Sequence, residues 1–263
     1  MNIALIGYGK MGKIIEAQAL EKGHKIIAVV DPFIGMEKTF YGSPIKKSLD
    51  EITSLKEKPD IAVDFTRPVD AVKNLLSLAG AGISVVIGTT GWYDKMAEVK
   101  TAVEKAGTSL FWAPNYSLGM NVFYRVAEFA AEIFDPFSDY DAGGLEIHHN
   151  KKADSPSGTA KLIAEKMLLK MTRKKKAVYE KLDHPPAADE LHFASLRVGT
   201  VQGVHSVIFD SQSDTVEITH TIRNRDGMAA GALRAAEWLF NKKERGVFTM
   251  DDMLTDILRR KVS

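Results

Sequence analysis

The first half of the chain alternates between short, continuously apolar runs and segments with the periodicity of an amphipathic helix. The pattern predicts strands over 2–7, 25–31, 59–66, 83–91 and 109–115, and helices over 13–23, 69–82 and 93–107. Apolar runs without polar alternation are typical of parallel strands that are covered on both faces. Strands joined by helices in this order predict a doubly wound α/β domain with right-handed crossovers.

The pattern changes after residue 115. Helices are predicted over 119–134, 156–171, 229–243 and 250–261, and strands over 143–150, 190–198, 203–210 and 214–222. Strands that follow one another without intervening helices favour an antiparallel or mixed sheet. We therefore expect an α/β domain of residues 1–117 and 225–263, to which the terminal helices return, and an α+β domain of residues 118–224.

Composition narrows the possible functions. The 263 residues are 45% hydrophobic and 26% charged, which is enough apolar surface for a packed core. The net charge is +1, so we expect neither nucleic acid nor membrane partners, and the basic run 170–176 is interpreted as a solvated helix end. The absence of cysteine excludes disulfides, thiolate metal sites and cysteine nucleophiles. No signal peptide or long apolar span is recognisable, so a cytoplasmic location is expected.

A glycine-rich turn lies between the first predicted strand and the first helix. It consists of Gly7, Tyr8, Gly9, Lys10, Met11 and Gly12, in the spacing G-x-G-x-x-G. Such glycines let the backbone approach a pyrophosphate, and the N-terminus of the next helix attracts its charge. Asp31 ends the second strand 19 residues beyond Gly12, where an acid binds the adenosine ribose. Together these features favour a Rossmann-like dinucleotide-binding domain over a purely structural turn.

The residue after Asp31 bears on the choice of cofactor. Pro32 stands there rather than an arginine, and an acid at position 31 favours the free 2′-hydroxyl of NADH over the 2′-phosphate of NADPH. Lys10, Lys13 and Lys38 can partly offset the negative charge. We therefore expect NADH, or the use of both NADH and NADPH.

Two more turns follow predicted strands at the same edge of the sheet, where doubly wound folds bind their ligands. The first comprises Gly88, Thr89, Thr90 and Gly91, and the second comprises Ala113, Pro114, Asn115 and Tyr116. Either turn alone is equally well explained as a structural feature. The presence of two such turns on one edge favours contact between these turns and the nicotinamide half of the cofactor.

The stretch 146–161, EIHHNKKADSPSGTAK, holds the densest group of reactive side chains. A histidine pair such as His148 and His149 is most often a partly buried structural feature. Consecutive strand residues point to opposite faces, so the pair is poorly placed to chelate one ion, and no metal is expected. Histidine can instead transfer protons near neutral pH, and a nearby lysine can protonate or polarise a nitrogen or oxygen atom.

The second half of this stretch is predicted to bind an anion. Ser155 is a suitable N-cap for the following helix, and Pro156 is a suitable first residue. Residues 157–159 then lie in the first turn, where free N–H groups and the helix dipole favour a carboxylate. The lysines at 151–152 add positive charge. A hydride donor, a carboxylate site and a proton donor together indicate reduction of a small acidic C=N, C=C or C=O compound.

These motifs resemble those of the dihydrodipicolinate reductase family over essentially the whole chain. The matching motifs are GYGKMG at 7–12, DFTRP at 64–68, GTTG at 88–91, APNYSLGMN at 113–121, HHNKKADSPSGTA at 148–160 and RVGTVQGVHSVIF at 197–209. The fifth motif is specific, whereas the glycine motif is widespread. The resemblance implies NAD(P)H-dependent reduction of 4-hydroxy-tetrahydrodipicolinate to tetrahydrodipicolinate in lysine and diaminopimelate biosynthesis. It also implies a homotetramer assembled through the sheet of the second domain.

The resemblance further implies the roles of individual residues. His148 is the expected proton donor or acceptor, and Lys152 is the expected second proton donor. The residues expected to bind a small dicarboxylate substrate are His149, Ser157, Gly158 and Thr159. The two turns at 88–90 and 113–116 are expected to line the nicotinamide side of the cofactor.

Some positions depart from the family's pattern. The glycine turn is one residue shorter than in many members and has Lys10 where arginine is frequent. Pro32 stands at a second position where arginine is frequent, and Lys151 stands where some members have a histidine. The changes at 10 and 32 weaken the expectation of a strong NADPH preference. A homoserine-type dehydrogenase and a nucleotide-binding redox sensor remain as alternatives. A phosphorylating semialdehyde dehydrogenase is excluded, because it needs a cysteine nucleophile.

Overall fold

The computed structural model describes residues 1–179 and 181–259, which divide into two compact units. The first unit consists of residues 1–118 and the chain from 225 onward, and the second consists of residues 119–224. Within the described ranges, no helix combines the length and the apolar character needed to cross a membrane.

The first unit is built on a parallel sheet. Its described strands are β1 (Asn2–Ile6), β2 (Lys25–Val30), β3 (Ile45–Lys46), β4 (Ile61–Asp64), β5 (Val85–Ile87), β6 (Ser109–Trp112) and β12 (Gly246–Phe248). They lie in the order β12-β6-β5-β4-β1-β2-β3, and adjacent strands are parallel. The chain leaves β1 toward one edge and resumes at β4 toward the other. The crevice between the carboxyl ends of β1 and β4 is therefore the place where such sheets bind ligands.

Helices cover both faces of this sheet. They are α1 (Lys10–Glu21), α2 (Asp50–Thr53), α3 (Pro68–Gly80), α4 (Met96–Ala106), α7 (Asp226–Asn241) and α8 (Met250–Arg259). Because side chains alternate across a strand, β1 sends Ile3 and Leu5 into one core and Ala4 and Ile6 into the other. Residues of α1, α7 and α8 belong to the first core, and residues of α3 and α4 belong to the second.

The second unit contains a mixed sheet. Its described strands are β7 (Asp141–His148), β8 (Lys176–Val178), β9 (Glu190–Arg197), β10 (Val204–Asp210) and β11 (Thr215–Thr221), in the order β11-β10-β7-β9-β8. Strand β10 is antiparallel to both of its neighbours, whereas β7 and β8 run parallel to β9. The helices α5 (Leu118–Phe134) and α6 (Gly158–Leu168) pack on one face, around Phe193 and Phe209. The other face carries Leu145 and Ile147, which are partly exposed, and Leu196, which is 49% exposed.

The predicted fold class is confirmed: one unit contains a doubly wound parallel sheet, and the other contains a mixed sheet with helices on one face. The short elements β3, α2, β8 and β12 were not predicted, because two to four residues are too few to show a periodic pattern. The last helix was predicted to reach residue 261, and positions 260–261 lie outside the described residues.

The predicted start of α6 is wrong by two residues. The N-cap is Ser157 rather than Ser155, and Pro156 lies outside the helix. The Ser157 hydroxyl accepts a hydrogen bond from the Ala160 N–H at 3.1 Å. The physical reason lies on the neighbouring strand, since buried Glu146 accepts hydrogen bonds from both the N–H and the hydroxyl of Ser157.

The interpretation of the basic run 170–176 as a solvated helix end is also wrong. Helix α6 ends at Leu168, and Lys176 already belongs to β8. Lys174 is buried, with its Nζ 2.8 Å from the Glu190 carbonyl oxygen and 2.5 Å from a carboxylate oxygen of Asp141. These contacts hold the run against the sheet, an arrangement that a local charge pattern does not reveal.

Candidate functional site

The three glycines of the turn perform three different tasks. Gly7 has a φ of +89°, and a Cβ there would lie 2.5 Å from the carbonyl oxygen of Phe65. A Cβ on Gly12 would lie 2.4 Å from the carbonyl oxygen of Gly7, so this glycine lets α1 pack closely against the turn. A Cβ on Gly9 would meet no described atom within 4 Å, so a ligand can approach the backbone there. In a dinucleotide-binding turn, the glycines likewise allow a tight turn, the approach of the ligand to the backbone, and close packing of the helix.

Asp31 lies beside this turn, directly after β2. Its Oδ2 accepts a hydrogen bond from the Tyr8 N–H, and its Oδ1 accepts one from the Phe33 N–H, both at 2.9 Å. The carboxylate is thereby fixed next to Gly9, the N-cap of α1. The residues present fit a bound dinucleotide, with Asp31 where the ribose hydroxyls are held and α1 where the pyrophosphate is held.

A cavity of about 420 Å³ opens at this edge of the sheet, and Gly7, Tyr8, Gly9 and Asp31 line it. The sequence suggests Lys10, Lys13 and Lys38 as sources of the compensating positive charge. Among the described residues that line the cavity, the cations are instead Lys47, Arg67 and Lys73. The Arg67 guanidinium lies 4.8 Å from the centre of the Phe33 ring at the same cavity. Arg67 belongs to the DFTRP motif, which could have indicated it.

Asp64, at the end of β4, ties the turn at 88–91 to the segment that follows β4 and to α3. Its buried carboxylate accepts hydrogen bonds from the Thr66 hydroxyl at 2.7 Å, the Asn74 amide at 2.9 Å and the Thr89 hydroxyl at 3.1 Å. Burial raises the pKa of Asp64, while these hydrogen bonds act against that rise. A Cβ on Gly88 would lie 2.1 Å from the Phe65 ring, so glycine is required for the close approach of the two segments. Asp64 was missed in the sequence analysis.

The turn at 113–116 is anchored in the core by Tyr116. The Tyr116 side chain is buried, and its hydroxyl donates to the Ile87 carbonyl oxygen at 2.8 Å. Burial raises the pKa of Tyr116 well above its ordinary value. Ala113 is buried as well, which leaves Pro114, exposed, and Asn115, partly exposed, as the side chains nearest to solvent. The structure therefore gives Tyr116 an anchoring position, with its side chain turned into the protein.

In the second unit, His148 lies beside a buried acid that the sequence analysis passed over. Glu146 and His148 are two residues apart on β7 and share its buried face. The His148 Nδ1 atom lies 3.2 Å from Glu146 Oε2. A Cβ on Gly203 would lie 3.1 Å from His148 Nε2, so glycine at 203 leaves space for the imidazole. The alternation along the strand could have identified Glu146.

Glu146 is the centre of a hydrogen-bond network. It accepts hydrogen bonds from the Ser195 hydroxyl and the Arg197 guanidinium, both at 2.8 Å, and from the N–H and hydroxyl of Ser157. His205 Nε2 lies 3.6 Å away. Burial alone would raise the pKa of Glu146, but the neighbouring His205 and the hydrogen bonds from Ser157 and Arg197 outweigh it and hold the pKa well below its ordinary value.

Ligand atoms of Glu146, His148 and His205 lie within 4.8 Å of one another, a spacing that a metal ion can occupy. The Arg197 guanidinium already supplies positive charge to the same carboxylate. The expectation that this protein binds no metal stays a prediction.

Lys152 and Asp154 form an ion pair in the turn between β7 and α6. The Lys152 Nζ atom lies 2.7 Å from Asp154 Oδ1, and the Lys152 N–H donates to the His149 carbonyl oxygen at 3.1 Å. The lysine side chain is 23% exposed and the aspartate side chain 57%. The hydrogen bond from Lys152 lowers the pKa of Asp154. A solvent-accessible ammonium group is thus held four residues beyond His148.

The N-terminus of α6 has open space in front of it. A Cβ on Gly158 would meet no described atom within 4 Å, and Thr159 is partly exposed. The N–H groups of these residues lie in the first helical turn, where no preceding carbonyl of the helix accepts them. The Ser157 hydroxyl is buried and engaged with Glu146 and the Ala160 N–H. Gly158 therefore faces the opening, whereas Ser157 holds the helix cap in place.

Burial lowers the pKa of His148 to about 4 from its ordinary value of 6.5, even though Glu146 acts in the opposite direction. Between pH 6.5 and pH 4 His148 is protonated in the unfolded chain but not in the folded protein. The free energy of unfolding therefore falls as the pH is lowered through this window. We expect the free energy of unfolding to fall more in the parent protein than in His148→Gln between pH 7 and pH 5. Urea unfolding at both values measures this, and an equal fall would contradict it.

These features define a class of protein. A doubly wound sheet with a dinucleotide-binding glycine turn, and a second unit carrying a histidine and a lysine beside an open helix N-terminus, are those of a two-domain nicotinamide-dependent oxidoreductase.

Comparison with known proteins identifies the family. Residues 1–116 match the family description "Dihydrodipicolinate reductase, N-terminus", and residues 119–254 match "Dihydrodipicolinate reductase, C-terminus". The 4-hydroxy-tetrahydrodipicolinate reductase of Christiangramia forsetii is 37% identical over 98% of this chain and 100% of its own length. That of Archaeoglobus fulgidus is 33% identical, covering 97% of this chain and 100% of its own length. The chain belongs to the dihydrodipicolinate reductase family.

A solved structure of dipicolinate-bound dihydrodipicolinate reductase from Paenisporosarcina sp. TG-14 has the same fold. The TM-score is 0.77 at 23% sequence identity, with 94% of this chain and 97% of that chain covered. With the family established, the predicted activity is confirmed: the protein is an NAD(P)-dependent oxidoreductase with the 4-hydroxy-tetrahydrodipicolinate reductase function of lysine biosynthesis.

Proposed function

We propose that the chain reduces a small cyclic dicarboxylate derived from 4-hydroxy-tetrahydrodipicolinate, with NADH preferred and NADPH also accepted. The observation that carries the proposal is the arrangement of His148, Lys152 and the open N-terminus of α6 within one unit. A carboxylate at that helix end gains both N–H donors and the favourable end of the helix dipole. The dipicolinate bound to the Paenisporosarcina enzyme, itself a dicarboxylate, supports this class of substrate.

The first unit holds the cofactor in this proposal. Residues 7–12 contact the pyrophosphate, Asp31 binds the adenosine ribose, and residues 88–90 and 113–116 line the nicotinamide side. Bound reduced nicotinamide supplies the hydride. The bond that Asp31 can accept from a 2′-hydroxyl favours NADH. Lys47, Arg67 and Lys73 line the same cavity and offset the repulsion between Asp31 and a 2′-phosphate, so NADPH is also accepted.

The second unit binds the substrate and handles the protons. His149, Gly158 and Thr159 bind its carboxylates, and Ser157 positions the helix cap. Lys152 donates the proton that the reduced nitrogen or enamine centre requires, because its ammonium group is accessible. Glu146 faces Nδ1 of His148 and favours the tautomer that carries its proton there. Neutral His148 then offers Nε2 as a proton acceptor.

The second unit also supports a homotetramer. The sheet face opposite α5 and α6 carries partly exposed Leu145 and Ile147 and the half-exposed Leu196. Apolar surface of this kind on a sheet is a suitable subunit contact. Sedimentation equilibrium would show a tetramer, and a monomer would refute the proposed assembly.

A coupled assay tests the proposed cofactor preference. Aspartate semialdehyde, pyruvate and the synthase that joins them supply the substrate, and the absorbance of NADH or NADPH is followed after this protein is added. We expect oxidation with both cofactors and a lower KM for NADH.

Asp31→Ala is expected to raise the KM for NADH by about tenfold and to change the KM for NADPH less, because the acid accepts a hydrogen bond from NADH and repels the 2′-phosphate of NADPH. An equal change for both would contradict the role of Asp31.

A further inference from the structure

Helix α1 carries a fully buried acid, Glu16, that has no part in the proposed reaction. Burying a carboxylate is costly unless hydrogen bonds replace its water. Glu16 lies in the second turn of the helix that follows the glycine turn, and side chains from two other segments supply those bonds. Such an acid joins segments that are distant in the sequence.

The first partner of Glu16 is Tyr8, in the glycine turn itself. The Tyr8 side chain is 4% exposed, and its hydroxyl donates a hydrogen bond to Glu16 Oε2. Burial and the neighbouring carboxylate both raise the pKa of Tyr8, so the phenol keeps its proton and remains a donor. The side chain of the residue between Gly7 and Gly9 is therefore anchored in the core.

The second partner is Thr39, which is also buried. Its hydroxyl donates to Glu16 Oε1 at 2.6 Å and accepts from the Ser43 N–H at 3.1 Å, and the Thr39 N–H donates to the Ser43 carbonyl oxygen at 2.9 Å. The tight segment from 39 to 43 is thus tied to α1. This segment belongs to the connection between β2 and β3, which begins at Asp31.

The first partner, Tyr8, also lies at the cofactor cavity. The Tyr8 N–H donates to Asp31 Oδ2 at 2.9 Å, and Tyr8 and Asp31 both line the cavity. Glu16 holds Tyr8 through its side chain, while Asp31 holds it through its backbone. Displacement of the Tyr8 ring would move the N–H that fixes Asp31 and the backbone of Gly9, where a pyrophosphate approaches.

We infer that Glu16 is a positioning residue for the cofactor: through Tyr8 and Thr39 it holds the glycine turn and Asp31 in the geometry that binds the dinucleotide. The inference rests on the proposed placement of the cofactor at this turn. A site held in its bound geometry before the ligand arrives avoids the cost of ordering it on binding. Loss of the network therefore weakens cofactor binding and leaves the chemical step of the loaded enzyme intact.

The variants Tyr8→Phe, Thr39→Val and Glu16→Gln test this inference. Each removes or weakens one hydrogen bond with little change in side-chain volume. We expect the Kd for NADH, measured by fluorescence titration, to rise about threefold to tenfold in Tyr8→Phe and Glu16→Gln, and kcat at saturating NADH to stay within about twofold of the parent in Thr39→Val and Glu16→Gln. The double variant is expected to have a smaller effect than the two single effects added, because both remove the same bond.

Tyr140→Phe is the matched control. Tyr140 also donates its hydroxyl to a carboxylate, Asp214 Oδ1 at 2.5 Å, but on the exposed surface of the second unit. Its Kd for NADH should equal that of the parent protein. If Glu16→Gln does not fold, Tyr8→Phe and Thr39→Val still test the network, because they keep the acid and remove only the hydroxyl group of one partner.

Gly9→Glu separates the inference from the proposal on which it rests. The new carboxylate would stand in open space where the pyrophosphate approaches and repel it. If Gly9→Glu loses NADH binding while Tyr8→Phe and Thr39→Val keep the parent Kd, the positioning role of Glu16 is refuted and the cofactor site stands. If Gly9→Glu still binds NADH with the parent Kd, the cofactor site is wrong, and the inference falls with it.

Discussion

Replacement of Lys152 by alanine is expected to lower kcat by about 10²–10⁴-fold, the range for loss of a general acid, while the Kd for NADH stays unchanged. The ammonium group of Lys152 is partly exposed and held by Asp154 at 2.7 Å, so a bound substrate can reach it. Steady-state kinetics with the coupled substrate and a separate NADH titration measure the two quantities.

Lys170→Ala is the control for this prediction. Lys170 also forms an ion pair in the second unit, with Glu132 at 3.0 Å, but on the surface of α5. Its loss should leave kcat within about twofold of the parent, since exposed pairs contribute little to stability. A kcat for Lys152→Ala close to that of Lys170→Ala would rule out Lys152 as the proton donor.

His148→Ala should also lower kcat by about 10²–10⁴-fold if the histidine transfers a proton.

The second large effect is expected for Glu146→Gln. This change leaves the Arg197 guanidinium without its carboxylate, and removal of one member of a buried ion pair costs about 3–5 kcal/mol of stability. The variant also loses the carboxylate that faces His148 Nδ1, so kcat should fall in the protein that remains folded. Urea unfolding at pH 7 measures the stability, and kinetics at low temperature measure the activity.

The pKa of Glu146 lies below its value in the unfolded chain, so its contribution to stability is present at neutral pH and is lost as the pH falls through the folded-state pKa. Glu132→Gln removes a half-exposed carboxylate from an ion pair on α5 and should change the stability by less than about 1 kcal/mol. If the two variants lose the same small free energy, Glu146 does not hold the site together.

The elements that the sequence predicts well are those with strong local signals. The buried runs of β1, β2, β4, β5 and β6 are continuously apolar because a parallel sheet is covered on both sides. The glycine turn is recognisable because steric limits at Gly7 and Gly12 admit no other residue. The helix start at Ser157 was misplaced because Ser155 and Ser157 are equally good caps locally, and only the contact with Glu146 separates them.

The second-domain site shows why part of it escaped prediction. The register of β7 with its neighbours puts Ser195 opposite Glu146 on one side and His205 opposite it on the other. The same register pairs His148 with Arg197. The members of these pairs are about fifty to sixty positions apart in the chain, and no periodic pattern in one strand specifies the register of another.

The sequence by itself determined the fold class and predicted the dinucleotide turn, Asp31 and the stretch from His148 to Thr159, because periodicity, glycine sterics and helix-end chemistry act over a few residues. The tertiary structure alone decided which polar groups are free for ligands and which are engaged within the protein. Tyr116 and Ser157 face the interior, while Gly158 faces open space. The positions of Glu16 and Glu146 at the centres of hydrogen-bond networks are visible only in the folded structure. A buried carboxylate is stable only where the fold brings hydrogen-bond donors to it.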